Sequence, residues 1–234
     1  MKIVFIPGLL LTEDVFKFQI LSLKKEFNIS IADTKGFKSI TSIALSILNK
    51  EDGNFLPIGL SMGGYICMEI ARIAPDRILG LGLLSTGATS DTKLKKLQRK
   101  KLINLSNIGK FNGVSSNMLK NFLSTKAYES EKILNLIKSM AIQVGKDNFV
   151  NHQIAIMNRI DQRNTLKNFS KPSLILCGKL DVLTPYYLSI QMFGLLKNCE
   201  LRILPNIGHL SSLEAPNQVT EAIYSLIKNI REAS

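Results

Sequence analysis

Short apolar runs of strand length alternate with longer stretches whose apolar positions recur at helical spacing, the pattern of a parallel sheet covered by helices on both faces. The runs predict strands over 2–6, 29–32, 55–60, 78–84, 173–177 and 201–204. Helices are predicted over 12–26, 39–50, 62–74, 185–196 and 215–230, where Val219, Ile223, Leu226, Ile227 and Ile230 share one stripe. The alternation breaks once, between Ser85 and Ser173. That interval is too long for an ordinary connection, and it has helical periods of its own, first Ile133, Leu136, Ile137, Met140 and Val144, then Phe149, Val150, Ile154 and Met157. The expected organisation is a core of residues 1–86 and 172–234 interrupted by a helical insertion at 87–171. No internal repeat or low-complexity run is present.

The chain has 234 residues, 45% apolar and 21% charged, which suits a globular fold and excludes a disordered one. No apolar run approaches the roughly 18 residues of a membrane span, and the start is too short for a signal peptide, so a cytoplasmic protein is expected. Cys67, Cys177 and Cys199 form no close pair and lie among apolar neighbours, where they serve as small core residues better than as a disulfide or metal site. The formal charge of +12 is localised: Gly87 to Lys171 holds 16 Lys and Arg against 5 Asp and Glu, and the remainder 14 against 13. Zinc-finger spacing, an RNA-recognition aromatic motif and basic tracts interleaved with aromatics are all missing, so no nucleic-acid partner is expected. Six positive charges between Lys93 and Lys101 have only Leu94 and Leu97 as apolar anchors among them, which argues against stable membrane association. The insertion either attracts an anionic substrate or presents a lysine-rich solvated face.

Gly59-Leu60-Ser61-Met62-Gly63 fits G-x-S-x-G between a strand and a helical pattern. A serine projecting from so sharp a turn needs small residues two before and two after it, and both are glycine; the plainer alternative is a tight turn where Ser61 caps a helix. A serine nucleophile requires a base, and the chain has two histidines. His209 follows the last strand, whereas His152 lies on a helical pattern in the insertion, as a buried or solvated residue or a substrate contact. Asp181 sits after the preceding strand, with Thr184-Pro185 reading as an N-cap and first helical residue. It either orients the histidine or serves as a turn aspartate. Ser61, Asp181 and His209 all fall beyond the carboxyl ends of predicted strands, where open α/β sheets place their sites. The Met62 amide, and the Leu9 amide in the loop Pro7-Gly8-Leu9-Leu10-Leu11, are the candidate oxyanion donors; for Leu9 the alternative is an ordinary strand-ending turn.

With these pieces in place the chain resembles the α/β-hydrolase family over nearly its whole length. P-G-L-L (7–10), G-L-S-M-G-G (59–64), G-K-L-D-V-L-T-P (178–185) and N-I-G-H-L-S-S-L-E-A-P (206–216) carry the resemblance. It implies a mostly parallel sheet of about six strands, with a helical cap between the sixth and seventh strands of the usual eight. It also implies Ser61 as nucleophile, Asp181 as acid, His209 as base, and Leu9 and Met62 as oxyanion donors. Three positions depart from the pattern: Pro7-Gly8 replaces the common His-Gly, Phe16 stands where relatives often carry tryptophan, and Pro57 falls inside the strand before Ser61, suggesting a later strand start. The absence of tryptophan counts against a haloalkane dehalogenase, and Ser61 in the nucleophile slot excludes that reaction and epoxide hydrolysis. The expected activity is a serine esterase on a small carboxylic ester, without metal or organic cofactor, in a monomer or homodimer. Thioesters, enol-lactones, C–C bonds beside a ketone, an elimination, or ligand binding without turnover use the same framework.

Overall fold

A computed structural model describes residues 1–108, 111 and 113–233. Lys110, one of the basic residues counted above, lies outside them. The elements are β1 (Lys2–Ile6), α1 (Lys17–Leu23), β2 (Asn28–Ile31), α2 (Ile40–Lys50), β3 (Phe55–Leu60), α3 (Met62–Ile73) and β4 (Leu81–Leu84). There follow α4 (Lys93–Asn107), α5 (Ser116–Phe122), α6 (Thr125–Tyr128), α7 (Glu131–Met157), α8 (Arg163–Asn168), β5 (Ser173–Gly178), α9 (Tyr186–Phe193), β6 (Cys199–Leu204), α10 (Ser211–Glu214) and α11 (Pro216–Glu232). Among the described residues the strands form one sheet in the order β2-β1-β3-β4-β5-β6, with every pair parallel.

Alternate side chains of β1 enter opposite layers: Ile3 and Phe5 join the apolar cluster under α1 and α11, while Val4 and Ile6 join the one under α2, α3 and α9. The interposed helices add to both clusters. Ile137, Met140, Val144 and Phe149 pack in the first; Ala155, Ile156 and Leu166 pack in the second. Gly145, at φ 77° and ψ 170°, breaks α7 within the first set, between Val144 and Phe149. Phe16 is fully buried with its ring 4.7 Å from that of Phe5, so it fills the space allotted to an aromatic side chain without tryptophan. Cys67 and Cys177 are buried and Cys199 half-buried, and burial pushes the Cys199 thiol up to about 12.

Four expectations need correction. β3 begins at Phe55 and contains Pro57, which pairs in register with Val4 of β1. The cost falls on the other edge: the regular β3–β4 ladder starts only at Ile58↔Gly82, and the isolated Phe55↔Ile78 bridge leaves one extra residue on the β4 side. β4 therefore starts at Leu81, later than its apolar run. The segment 12–26 is split into a 3₁₀ turn (Glu13–Phe16) and α1. Thr184 does not cap α9, whose N-cap is Pro185 without a side-chain bond; the hydroxyl is engaged elsewhere.

Candidate active site

The strand order reverses direction beside β1: the chain leaves β1 for β2 on one side and then crosses back to β3 on the other. Connections diverge there and leave a crevice at the carboxyl ends of β1 and β3. Both Ser61 and the loop Pro7–Leu11 sit at those ends. Ser61 adopts φ 57° and ψ −112°, a strained conformation for a residue with a side chain. A Cβ on Gly59 would lie 2.2 Å from the Gly63 backbone, and one on Gly63 would lie 1.9 Å from the Ile6 carbonyl oxygen. Both flanking glycines are thus required by contact. Gly8 is packed less tightly, its notional Cβ 2.9 Å from the Leu60 carbonyl oxygen and 3.2 Å from the Ser61 Cβ, which places the first loop against the serine.

Met62 is the first residue of α3, and its amide lacks a carbonyl one turn earlier to bond with. The Leu9 amide has no acceptor among the described residues. The elbow is held from behind by Ser61 N–H to Leu84 O at 2.9 Å and by the Thr86 hydroxyl to Ser61 O at 2.8 Å.

Asp181 is buried and lies 2.7 Å through Oδ2 from His209 Nδ1. That contact puts a proton on Nδ1 and leaves Nε2 of a neutral ring with its lone pair. The carboxylate is fully occupied: Leu183 and Thr184 amides donate to Oδ1 at 2.9 Å each, and the Thr184 hydroxyl donates to Oδ2 at 2.7 Å. Burial alone would raise the pKa of Asp181, but the attraction of His209 and these donated bonds outweigh it and hold the carboxyl below its ordinary value. Ser61 Oγ has no hydrogen-bond partner among the described residues. It shares a cavity of about 430 Å³ with Leu9, Thr184 and Phe122, whose ring centroid is 6.2 Å from that of His209.

Sequence reasoning missed Glu214. Its carboxylate accepts the amides of Gly208 at 3.1 Å, Leu210 at 3.2 Å and, from the interposed helices, Ser124 at 2.9 Å. The histidine amide itself donates to Phe122 O at 2.8 Å. Glu214 was visible five residues after His209 as an acid beside a turn, a signal without direction until the fold closes. His152 is placed away from Ser61's cavity lining, fully buried, with Nε2 2.8 Å from Thr34 O and Nδ1 without a partner among the described residues. It joins α7 to the loop after β2. No group of three His, Cys, Asp or Glu among the described residues is disposed to hold a metal ion, and no helix is long and apolar enough to cross a membrane.

A parallel sheet with helices on both faces and a serine at the turn after its third strand define an α/β hydrolase. The family described as serine aminopeptidase, S33, matches residues 25–215, and the chain belongs to it. It is similar to a pimeloyl-[acyl-carrier protein] methyl ester esterase from Wigglesworthia glossinidia brevipalpis, 25% identical over 97% of this chain and 93% of that one. Among solved structures it resembles a thermophilic esterase from Thermogutta terrifontis, with a TM-score of 0.87 and 23% identity over 98% of this chain and 90% of that one. It also resembles an enol-lactonase from Burkholderia xenovorans LB400, with a TM-score of 0.83 and 19% identity over 97% of this chain and 89% of that one.

Proposed function

We propose that the protein hydrolyses small carboxylic esters through Ser61, His209 and Asp181, with residues 87–171 acting as a cap over the site. The observation that carries this reading is the 2.7 Å contact between buried Asp181 and His209 Nδ1, at the same sheet edge as a strained serine. In the reaction His209 Nε2 takes the Ser61 proton as Oγ attacks the ester carbonyl, and Asp181 stabilises the imidazolium that forms. The Leu9 and Met62 amides receive the developing oxyanion. His209 then returns the proton to the departing alcohol. Water, activated by the same imidazole, attacks the acyl-enzyme and releases the acid, restoring the serine. Ester cleavage is favoured over the other acyl reactions because both the full-length relative and the structural neighbour of highest similarity described above are named esterases.

A fluorophosphonate probe, which reacts only with an activated serine, tests the machinery, and a panel of aryl and alkyl esters of increasing acyl length tests the substrate. Labelling of the intact protein that disappears in Ser61→Ala, with turnover on short esters, is expected. A folded protein that never labels overturns the enzyme reading.

A further inference from the structure

We infer that Arg99, Gln153 and Lys95 form an anion-binding subsite in the cavity of Ser61, and that the preferred ester carries a terminal carboxylate at the far end of its acyl chain. The inference deepens the ester-hydrolase reading and rests on it.

Arg99, on α4, donates through Nε to Asp91 Oδ2 at 2.5 Å and through Nη1 to Gln153 Oε1 at 2.8 Å. Its Nη2 has no acceptor among the described residues. Asp91 is fully buried, and its other oxygen accepts Arg159 Nη1 at 2.7 Å. Burial opposes the charge of Asp91, yet the two arginines hold its pKa below the ordinary carboxylate value, so the group stays ionised. One carboxylate therefore serves two guanidinium groups; Asp161 also attracts Arg159 but is itself paired with Arg163, so the cluster keeps one positive charge in excess. Arg159 turns away from the problem by lying over the Tyr65 ring at 4.2 Å. Arg99 faces it, because Arg99 lines the cavity with Gln153 and Lys95, and among the described residues no carboxylate lines that cavity.

A partly desolvated excess charge is unfavourable without a counter-charge, and an anion at this wall supplies one. The guanidinium is held by two fixed partners, so little ordering remains to be done on binding. Leu102, Met118 and Ile156 line the same cavity and suit an aliphatic spacer between the anion and the ester. The subsite also separates two roles of the basic helix: Arg99 is restrained toward the cavity, whereas Lys100 is exposed and does not line it.

Monomethyl adipate and methyl hexanoate differ only in the terminal carboxylate and make the test. With the full-length protein, kcat/KM is expected to favour monomethyl adipate by about 10- to 100-fold at low salt, the span of a charge-assisted hydrogen bond. Arg99→Met should bring that ratio near one, and Lys100→Met should leave it at the wild-type value. Calorimetry on Ser61→Ala should show monomethyl adipate binding that weakens at least about tenfold when Arg99→Met is added. A flat wild-type ratio, or an equal loss in Lys100→Met, overturns the subsite. If Arg99→Met does not fold, the wild-type ratio and the binding of monomethyl adipate against methyl hexanoate to Ser61→Ala still decide. Binding without turnover or fluorophosphonate labelling would sink the hydrolase reading alone; labelling with a flat ratio would sink the subsite alone.

Discussion

The carbonyl of Phe122 accepts the amide of His209 at 2.8 Å, so the last residue of α5 fixes the backbone from which the imidazole projects. Two residues further on, Ser124 donates its amide to Glu214, the carboxylate that also closes the loop around His209. The approach is tight: a Cβ on Gly208 would lie 2.7 Å from the Leu123 and Ser124 backbone. The interposed helices and the histidine loop are one hydrogen-bonded unit.

Glu214→Gln keeps the volume but replaces a charged acceptor of three amides by a neutral one. On the ester-hydrolase reading, kcat is expected to fall about tenfold with little change in KM, since the loop around His209 loosens while the cavity lining stays. Steady-state kinetics on a short ester, with thermal denaturation alongside, measure both. An unchanged kcat would show that Phe122 alone suffices to place the histidine.

Thr184→Val removes the hydroxyl bond to Asp181 Oδ2 while both amide bonds to Oδ1 remain. The carboxylate is left with a freer oxygen, and a loss of about 3- to 10-fold in kcat is expected from one hydrogen bond. Asp181→Asn, which disturbs the tautomer of His209, should cost roughly four orders of magnitude. Similar losses in the two variants would contradict a supporting role for Thr184.

Gly63→Ala places a methyl carbon 1.9 Å from the Ile6 carbonyl oxygen, a contact that backbone movement must relieve. Gly36→Ala meets nothing within 4 Å and is disfavoured only by its φ of 82°. Urea titration should show a loss of about 1 kcal/mol for Gly36→Ala and several times that for Gly63→Ala.

His152 titrates below its ordinary value of 6.5, because burial disfavours the imidazolium more than the Thr34 carbonyl and the Asp33 charge favour it. The unfolded chain therefore takes up a proton near pH 6.5 that the folded chain refuses. Stability is full above that pH and declines as pH falls from 6.5 toward the lower folded value. His152→Gln should flatten this part of the stability profile, measured by urea denaturation across pH. A profile identical to wild type would place the titration elsewhere.

The sheet was legible where apolar runs were uninterrupted: β1 and β3 carry the predicted bounds, and Ser61, Asp181 and His209 all lie beyond carboxyl ends of strands. Local patterns report such elements because burial on both faces writes a continuous apolar run. Ile78 misled, since it is apolar and buried yet belongs to a single bridge set off by Pro57. Thr184 also misled: threonine before proline looks like a cap, and only the closed fold shows its hydroxyl turned to Asp181. Asp91 and Glu214 were silent because each joins near partners to a distant one, Arg159 and Ser124, and no local spacing announces a contact that the fold creates.

The helices covering the site are unequally anchored. α7 buries side chains in both apolar clusters, whereas α4 buries none along its length; Arg99 ties it to α7 through Gln153 and to the preceding loop through Asp91. Its amides should exchange with solvent faster than those of α7, because local opening of α4 exposes no core. The same guanidinium that faces the cavity is then the peg that holds its outer wall, so an anion bound to Arg99 would also slow the breathing of that wall.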